Sequence, residues 1–194
     1  MTRTIRHVPP PEKEKVREWA RTLLQDNFYV IDTETTGVGR TDEVVQIGIL
    51  NREGQTVLET LVRPTCRIPA QVTAIHGISD ADVLNAPTFL DLYVQLSSLL
   101  AGAPLVAYNM EFDWRLLVQS AGRYRLPLLR SGTQHCAMKQ YARYKGQRRP
   151  DGTFRYHKLS DATRQLRLPM DKAHSAVGDC RMTLALIYRM AGES

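Results

Sequence analysis

The residues Phe28-Tyr29-Val30-Ile31 constrain this chain more than any other stretch, because four aromatic or β-branched apolar residues in a row offer no polar face to water. A run of that length and kind reads as a strand buried on both faces of a sheet. It leads directly into Asp32-Thr33-Glu34-Thr35-Thr36-Gly37, where the glycine releases the chain into a turn. Side chains alternate along a strand, so Asp32 and Glu34 project to the same side, about 6–7 Å apart along the backbone. Two carboxylates leaving the end of a buried strand together repel each other and lose hydration. A hard cation such as Mg²⁺ or Mn²⁺, which takes oxygen ligands, would resolve that conflict. A turn cap at Asp32 beside a solvated Glu34 is the alternative that this motif alone leaves open.

The rest of the chain reads as one α/β domain. Val16, Trp19, Ala20, Leu23 and Leu24 recur at helical spacing, so residues 12–26 form a helix with one face packed inward. Residues 1–27 are thus a leader and an added helix, and residues 28–194 the main domain. Val44–Leu50 and Thr56–Val62 are two further strands, joined by the turn signal Asn51-Arg52-Glu53-Gly54. With the Phe28 strand they make three antiparallel neighbours. Short helices follow, one leading into Ile75-His76-Gly77-Ile78 and one starting at Ser79 with Asp82 three residues on. A periodic helix then covers 87–100. Leu105–Tyr108 is a fourth apolar strand, Asn109 ends it, and a helix from about Glu111 carries Asp113 in its first turn. Residues 133–144 are expected to be helical, as is a stretch marked by Leu159, Ala162, Leu166 and Leu168 that Pro169 ends. The last helix runs from about Ala176 to Met190 with Asp179 in its first turn. His174 lies five residues before Asp179, about 140° away if both were helical, so it reaches the same site only from a loop or cap.

Composition narrows the class. With 43% hydrophobic and 24% charged residues the chain is an ordinary globular one. No stretch approaches the ~18 apolar residues of a membrane helix, and the N-terminus has no apolar run behind Arg3 and Arg6 to make it a secretory signal. Cys66, Cys136 and Cys180 are far apart and odd in number, which points to reduced residues of a cytoplasmic protein and not to a disulfide frame or a zinc site. The net charge of +6 is concentrated: Lys139 to Lys158 holds seven basic residues, Arg148 and Arg149 among them, against Asp151 alone. Removing them from the chain's 26 basic and 20 acidic residues leaves 19 of each. Tyr141, Tyr144, Phe154 and Tyr156 are interleaved, so this segment is either a nucleic-acid surface or a solvated loop.

The carboxylates therefore come from a strand end, a strand-to-helix junction and a final helix, with a histidine beside them. Open sheets bring the carboxyl ends of their strands to one crevice where ligands bind. Four carboxylates there require cations, and two divalent ions ~3.5–4 Å apart would neutralise them and clamp a phosphodiester.

Asp32-x-Glu34-Thr35-Thr36-Gly37, Asn109-x-x-Phe112-Asp113 and His174-x-Ala176-x-x-Asp179 resemble, in order, the three motifs of the DEDDh exonucleases, the DnaQ-like family that includes proofreading subunits of bacterial replicative polymerases. Ile75-His76-Gly77-Ile78 resembles a further segment common there. Tyr108 stands where many members have histidine, and Ser175 where many have arginine. The resemblance implies an α/β, ribonuclease-H-like fold: a central mixed sheet, three antiparallel strands and then parallel ones, flanked by helices. It implies metal-dependent 3′–5′ hydrolysis of single-stranded nucleic acid, DNA favoured, to nucleoside monophosphates. Asp32, Glu34 and Asp179 would hold a first Mg²⁺ or Mn²⁺; Asp32 would bridge to a second near Asp113; His174 would be the general base. Thr35, Ile75, His76, Tyr108 and Asn109 would hold the terminal nucleotide; Arg148 and Arg149, in the basic segment outside these motifs, are further candidate substrate contacts on its charge alone. Trimming of RNA 3′ ends is an alternative within the family. A catalytically inactive nucleic-acid-binding module, or an accessory to a DNA polymerase, is an alternative from another class, disfavoured because all five motif positions are intact. Since the chain stops at Ser194, straight after the last helix, a stand-alone nuclease is expected, with a DNA polymerase as a candidate partner.

Overall fold

In the computed structural model of the protein, residues 11–170 and 175–192 are described. The Phe28 run becomes β1 (Tyr29–Thr35), which pairs antiparallel with β2 (Val44–Asn51), itself paired antiparallel with β3 (Thr56–Leu61). On its other side β1 pairs in parallel with β4 (Leu105–Ala107), and β4 with β5 (Gln134–Cys136), so the sheet order is β3-β2-β1-β4-β5. β1 lies at the centre. Its alternation divides the core in two: Val30 joins a cluster with α1 (Pro11–Leu23) and α8 (Ala176–Ala191). Ile31 joins another, with α4 (Phe89–Leu100) and α5 (Met110–Arg123). Both residues are essentially inaccessible, as a strand covered on both faces requires.

Two stretches between these elements bear on function. α2 (Ala70–His76) and α3 (Asp80–Val83) cross the carboxyl end of the sheet, and a capping box between Ser79 and Asp82 starts α3. After β5 come α6 (Ala137–Lys145), the basic stretch and α7 (Leu159–Gln165). Residues 134–136, expected near the head of a helix over 133–144, form the edge strand β5 instead. Three residues, Gln134, His135 and Cys136, have no apolar alternation to betray a strand; pairing with the ends of β4 decides their conformation. The helix at 159 ends at Gln165, four residues before Pro169, with Arg167 at φ 54° closing it. Among the described residues no helix is long and apolar enough to cross a membrane.

Candidate active site

The site arises from a mismatch in strand length. β4 has three residues and pairs with β1 only along Tyr29 and Val30, so Ile31 to Thr35 run on without a β4 partner. A strand edge stripped of its neighbour leaves backbone donors to be satisfied. Asp113, in the first turn of α5, supplies the acceptor: its Oδ1 receives the Thr33 N–H at 3.0 Å and the Thr33 hydroxyl at 2.9 Å. Thr33 faces the α5 side, whereas Asp32 and Glu34 share the opposite face with Val30, toward α8.

α8 comes unusually close to the sheet there. A Cβ on Gly48 would sit 2.6 Å from the Ala176 carbonyl carbon and 2.7 Å from the Val177 nitrogen, so only glycine admits the helix start at that point of β2. Gln46 fixes the same start, its Oε1 accepting the Ala176 N–H at 3.1 Å. Cys180, fully buried, packs below with its thiol 3.5 Å from the Val30 carbonyl and 3.4 Å from that of Gly48. One turn of helix then presents Asp179 to β1.

The result is a cluster in which one carboxylate oxygen each from Asp32, Glu34 and Asp179 lies within 4.8 Å of the others. Asp113 stands beside this trio, buried and held by Thr33. Burial, then the fields of Asp113, Asp179 and Glu34, push the Asp32 carboxyl well above the carboxylate range. Burial followed by Asp179 and Asp113 lifts Glu34 to about 8. Burial lifts Asp113 to about 7 against the opposing Thr33 bonds. Such values describe a site short of positive charge. Its donors are oxygens only and mutually close, and this fits a hard divalent cation.

The other residues singled out from the sequence fall at several places. His174 lies outside the described residues. Thr35 is buried at the end of β1, its hydroxyl donating to the Gly37 carbonyl at 2.8 Å. His76 is buried too. Its Nδ1 accepts the Ile78 N–H at 3.0 Å, so Nε2 carries the proton and donates to the Thr35 carbonyl at 3.2 Å. The imidazole thus ties the end of α2 to the end of β1, leaving Ile75 beside it 58% exposed. Asn109 is the residue before α5, and its side chain makes no capping bond. Tyr108 packs in the α1–α8 cluster, with its hydroxyl donating to the His157 carbonyl at 2.7 Å. Arg148 and Arg149 lie in the basic stretch, outside the carboxylate cluster.

Sequence reasoning missed Gly48, Gln46 and Thr33, which set the approach of α8 and the aim of Asp113. A glycine inside a strand pattern was the available signal for the first; the other two have none. It also missed how firmly the turn after β1 is held. Arg115 donates to the carbonyls of Gly39 and Val38 at 3.0 and 3.2 Å, Gln119 to those of Gly39 and Asp42, and Arg123 to that of Thr41.

Comparison with known proteins agrees with this geometry. The family model RNase T, described as exonuclease, matches residues 29–187. The chain is 40% identical over 182 residues to the uncharacterized exonuclease CP81 of Escherichia phage 186, covering 91% of this chain and 94% of that protein. It is 29% identical to the DNA polymerase III subunit epsilon of Treponema pallidum, over 84% of this chain and 75% of that one. Among solved structures, exonuclease X in complex with 5′ overhanging duplex DNA superposes with a TM-score of 0.62 at 28% identity, covering 86% of this chain and 94% of that one. The chain belongs to the RNase T exonuclease family: it is a DnaQ-like 3′–5′ exonuclease on a ribonuclease-H-like fold, of a kind that depends on divalent metal.

Proposed function

We propose that the protein removes nucleotides one at a time from the 3′ end of single-stranded nucleic acid, DNA in preference to RNA, and releases nucleoside monophosphates. The observation that carries this reading is the convergence of Asp32, Glu34 and Asp179 within 4.8 Å, with Asp113 fixed beside them. Two divalent cations, Mg²⁺ or Mn²⁺, bound there supply charge neutralisation at the phosphate and lower the pKa of the attacking water. Asp32, Glu34 and Asp179 would hold the first, and Asp32 with Asp113 would hold the second. Asp113 can do this with one oxygen, because Thr33 occupies the other.

His174 takes the proton of the attacking water, a role assigned from its place in the His174-x-Ala176-x-x-Asp179 motif. Ile75 lays an apolar side chain against the terminal base, a contact indifferent to sequence, while Asn109 and the backbone around Thr35 hold the sugar. The neutral His76 acts by fixing Ile75 against the end of β1. Tyr108 contributes by anchoring the return of the basic stretch at His157.

The test is degradation of 5′-labelled DNA and RNA oligomers of matched sequence. Wild-type protein with Mg²⁺ or Mn²⁺ gives a ladder shortened from the 3′ end, faster on DNA, and none with chelator. Asp32→Asn, which removes the bridging carboxylate, abolishes the ladder without lowering the melting temperature of the metal-free protein. A variant that keeps wild-type turnover overturns the metal assignment.

A further inference from the structure

The basic stretch is a built structure and not a solvated loop. Arg149 N–H donates to the Thr153 carbonyl at 2.8 Å, Gly152 N–H to that of Arg149 at 3.0 Å, and Arg155 N–H to that of Gln147 at 2.9 Å. Arg148 and Phe154 form an antiparallel bridge. Residues 147–155 are thus a small β-ribbon, with Gly152 at φ 83° turning its tip. Its return limb is tethered to the core through the Tyr108–His157 bond, and the His157 ring meets Tyr141 edge-on at 5.4 Å.

Between this ribbon, α6 and the start of α5 lies a groove of about 800 Å³. That is the size of a ligand site of ~300–1,000 Å³. Four cations line it, Lys139, Arg143, Arg148 and Arg149, against the two carboxylates Glu111 and Asp151. The four are not equivalent. Lys139 is paired with Glu111 and Arg143 lies 3.9 Å from Glu12. Among the described residues Arg148 and Arg149 are in no ion pair, and their guanidinium carbons lie over aromatic rings, Arg148 4.2 Å from the centroid of Phe154 and Arg149 5.7 Å from that of Tyr156. Arg148 also donates one N–H to the Gly152 carbonyl at 2.6 Å, which fixes its direction across the ribbon. A cation–ring contact restrains the guanidinium and leaves N–H groups available to an oxyanion.

The groove also lies in the right place. It is lined by Met110 and Glu111, in the same turn of α5 that carries Asp113. It is lined also by His135, which borders a second depression of about 340 Å³ that Trp19 of α1 helps to line. The groove thus adjoins the turn that carries Asp113 on α5 and shares His135 with the depression beside the N-terminal helix.

We propose that this groove is a track for the uncleaved part of the substrate strand, in which Arg148 and Arg149, set by Phe154 and Tyr156, hold phosphates upstream of the scissile bond. The proposal rests on reading the Asp32 cluster as the point of cleavage. A single strand is the occupant the chemistry favours: its backbone gives regularly spaced anions for the arginine edges, and its unpaired bases can lie on the exposed ring of Tyr156. The consequence is affinity that grows with strand length beyond the nucleotides at the active site.

The experiment measures binding of labelled oligothymidylates of two to twelve nucleotides to the full chain in chelator, where no cleavage consumes the probe, across a range of salt concentrations. For wild type, affinity rises with length and log K falls linearly with log salt. Arg148→Gln with Arg149→Gln abolishes the gain with length and flattens the salt slope by about 1.4, at ~0.7 for each phosphate no longer neutralised. Phe154→Ala with Tyr156→Ala weakens binding but retains the slope, because the charges remain. Both arginines are solvent-exposed, so their replacement leaves the fold intact, and the absence of a length gain in wild type alone already overturns the proposal. Cleavage is read in a separate assay, as loss of the Mg²⁺-dependent ladder in Asp32→Asn, so failure of the catalytic reading and failure of the track are separate results. An unchanged slope and length gain in the double arginine variant overturns the proposal. So does a length gain shown by duplex DNA that single strands fail to compete away.

Discussion

Gly48→Ala adds one methyl group, and the structure says where it goes. The new Cβ would lie 2.6 Å from the Ala176 carbonyl carbon, 2.7 Å from the Val177 nitrogen and 3.0 Å from the Ala176 Cβ. The first two are backbone atoms of α8, so no side-chain rotation relieves them. Ordinary van der Waals separation begins near 3.4 Å, and the start of α8 has to retreat by about 0.8 Å or β2 has to bend. Gln46 resists the retreat through its bond to the Ala176 N–H. Overpacking of this kind costs about 1–3 kcal/mol, and a domain of this size loses ~2–4 °C of melting temperature per kcal/mol. Asp179 stands one turn further along the same helix, so it moves with it. Displacements near 1 Å at a catalytic group cost about 10² in rate. The assay is paired: thermal unfolding without metal, and turnover of a labelled oligonucleotide with Mg²⁺. Gly122→Ala is the control, since on α5 its Cβ meets nothing within 4 Å, and the exchange stabilises by up to about 1 kcal/mol. If Gly48→Ala melts and turns over like wild type, the close approach of α8 does not position Asp179.

Two further outcomes concern ionisation. Folded-state values of about 8 for Glu34 and about 7 for Asp113 lie above those of the unfolded chain near 4. The metal-free fold therefore keeps protons that the unfolded chain has released, and its stability falls as pH rises from about 4 to about 8. Cations bind the deprotonated site, so the rise in melting temperature given by Mn²⁺ is small at pH 5.5 and grows to pH 8.5; a pH-independent shift refutes the carboxylate assignment. His174→Ala lowers turnover by roughly 10²–10⁴ and removes the histidine limb of the pH–rate profile, while the Mn²⁺ shift persists; an unaltered profile assigns the base to another group.

What the sequence disclosed follows from which interactions are local. Val30 and Ile31 announce a doubly covered strand because burial on two faces leaves no room for a polar residue, and the core splits between them as that pattern requires. The convergence of Asp32, Glu34 and Asp179, with Asp113 beside them, was legible because each sits next to an element end that its neighbours specify. β5 was not, since Gln134-His135-Cys136 is a strand only by virtue of β4. The ribbon at 147–155 hid behind its charge: composition speaks for a solvated loop as readily as for Arg148 on Phe154, and only the pairing of Gln147 with Arg155 tells them apart. His76 and Tyr108 illustrate a different limit. Their types suit substrate contact, but whether a ring nitrogen or hydroxyl is already spent on Thr35 or His157 depends on chain segments far away in sequence.

The placement of Asp179 on α8 has a consequence in time. β1, β2 and β3 are joined by short turns and can pair as soon as they leave the ribosome, whereas α8 meets β1 across most of the length of the chain. Contacts of such separation form late, because the entropy of closing the loop is lost before any contact repays it. Asp32 and Glu34 therefore stand without their third partner in every partly folded form that lacks a docked α8. On the metal assignment proposed above, a chain that owns the sheet but lacks a docked α8 would cut nothing.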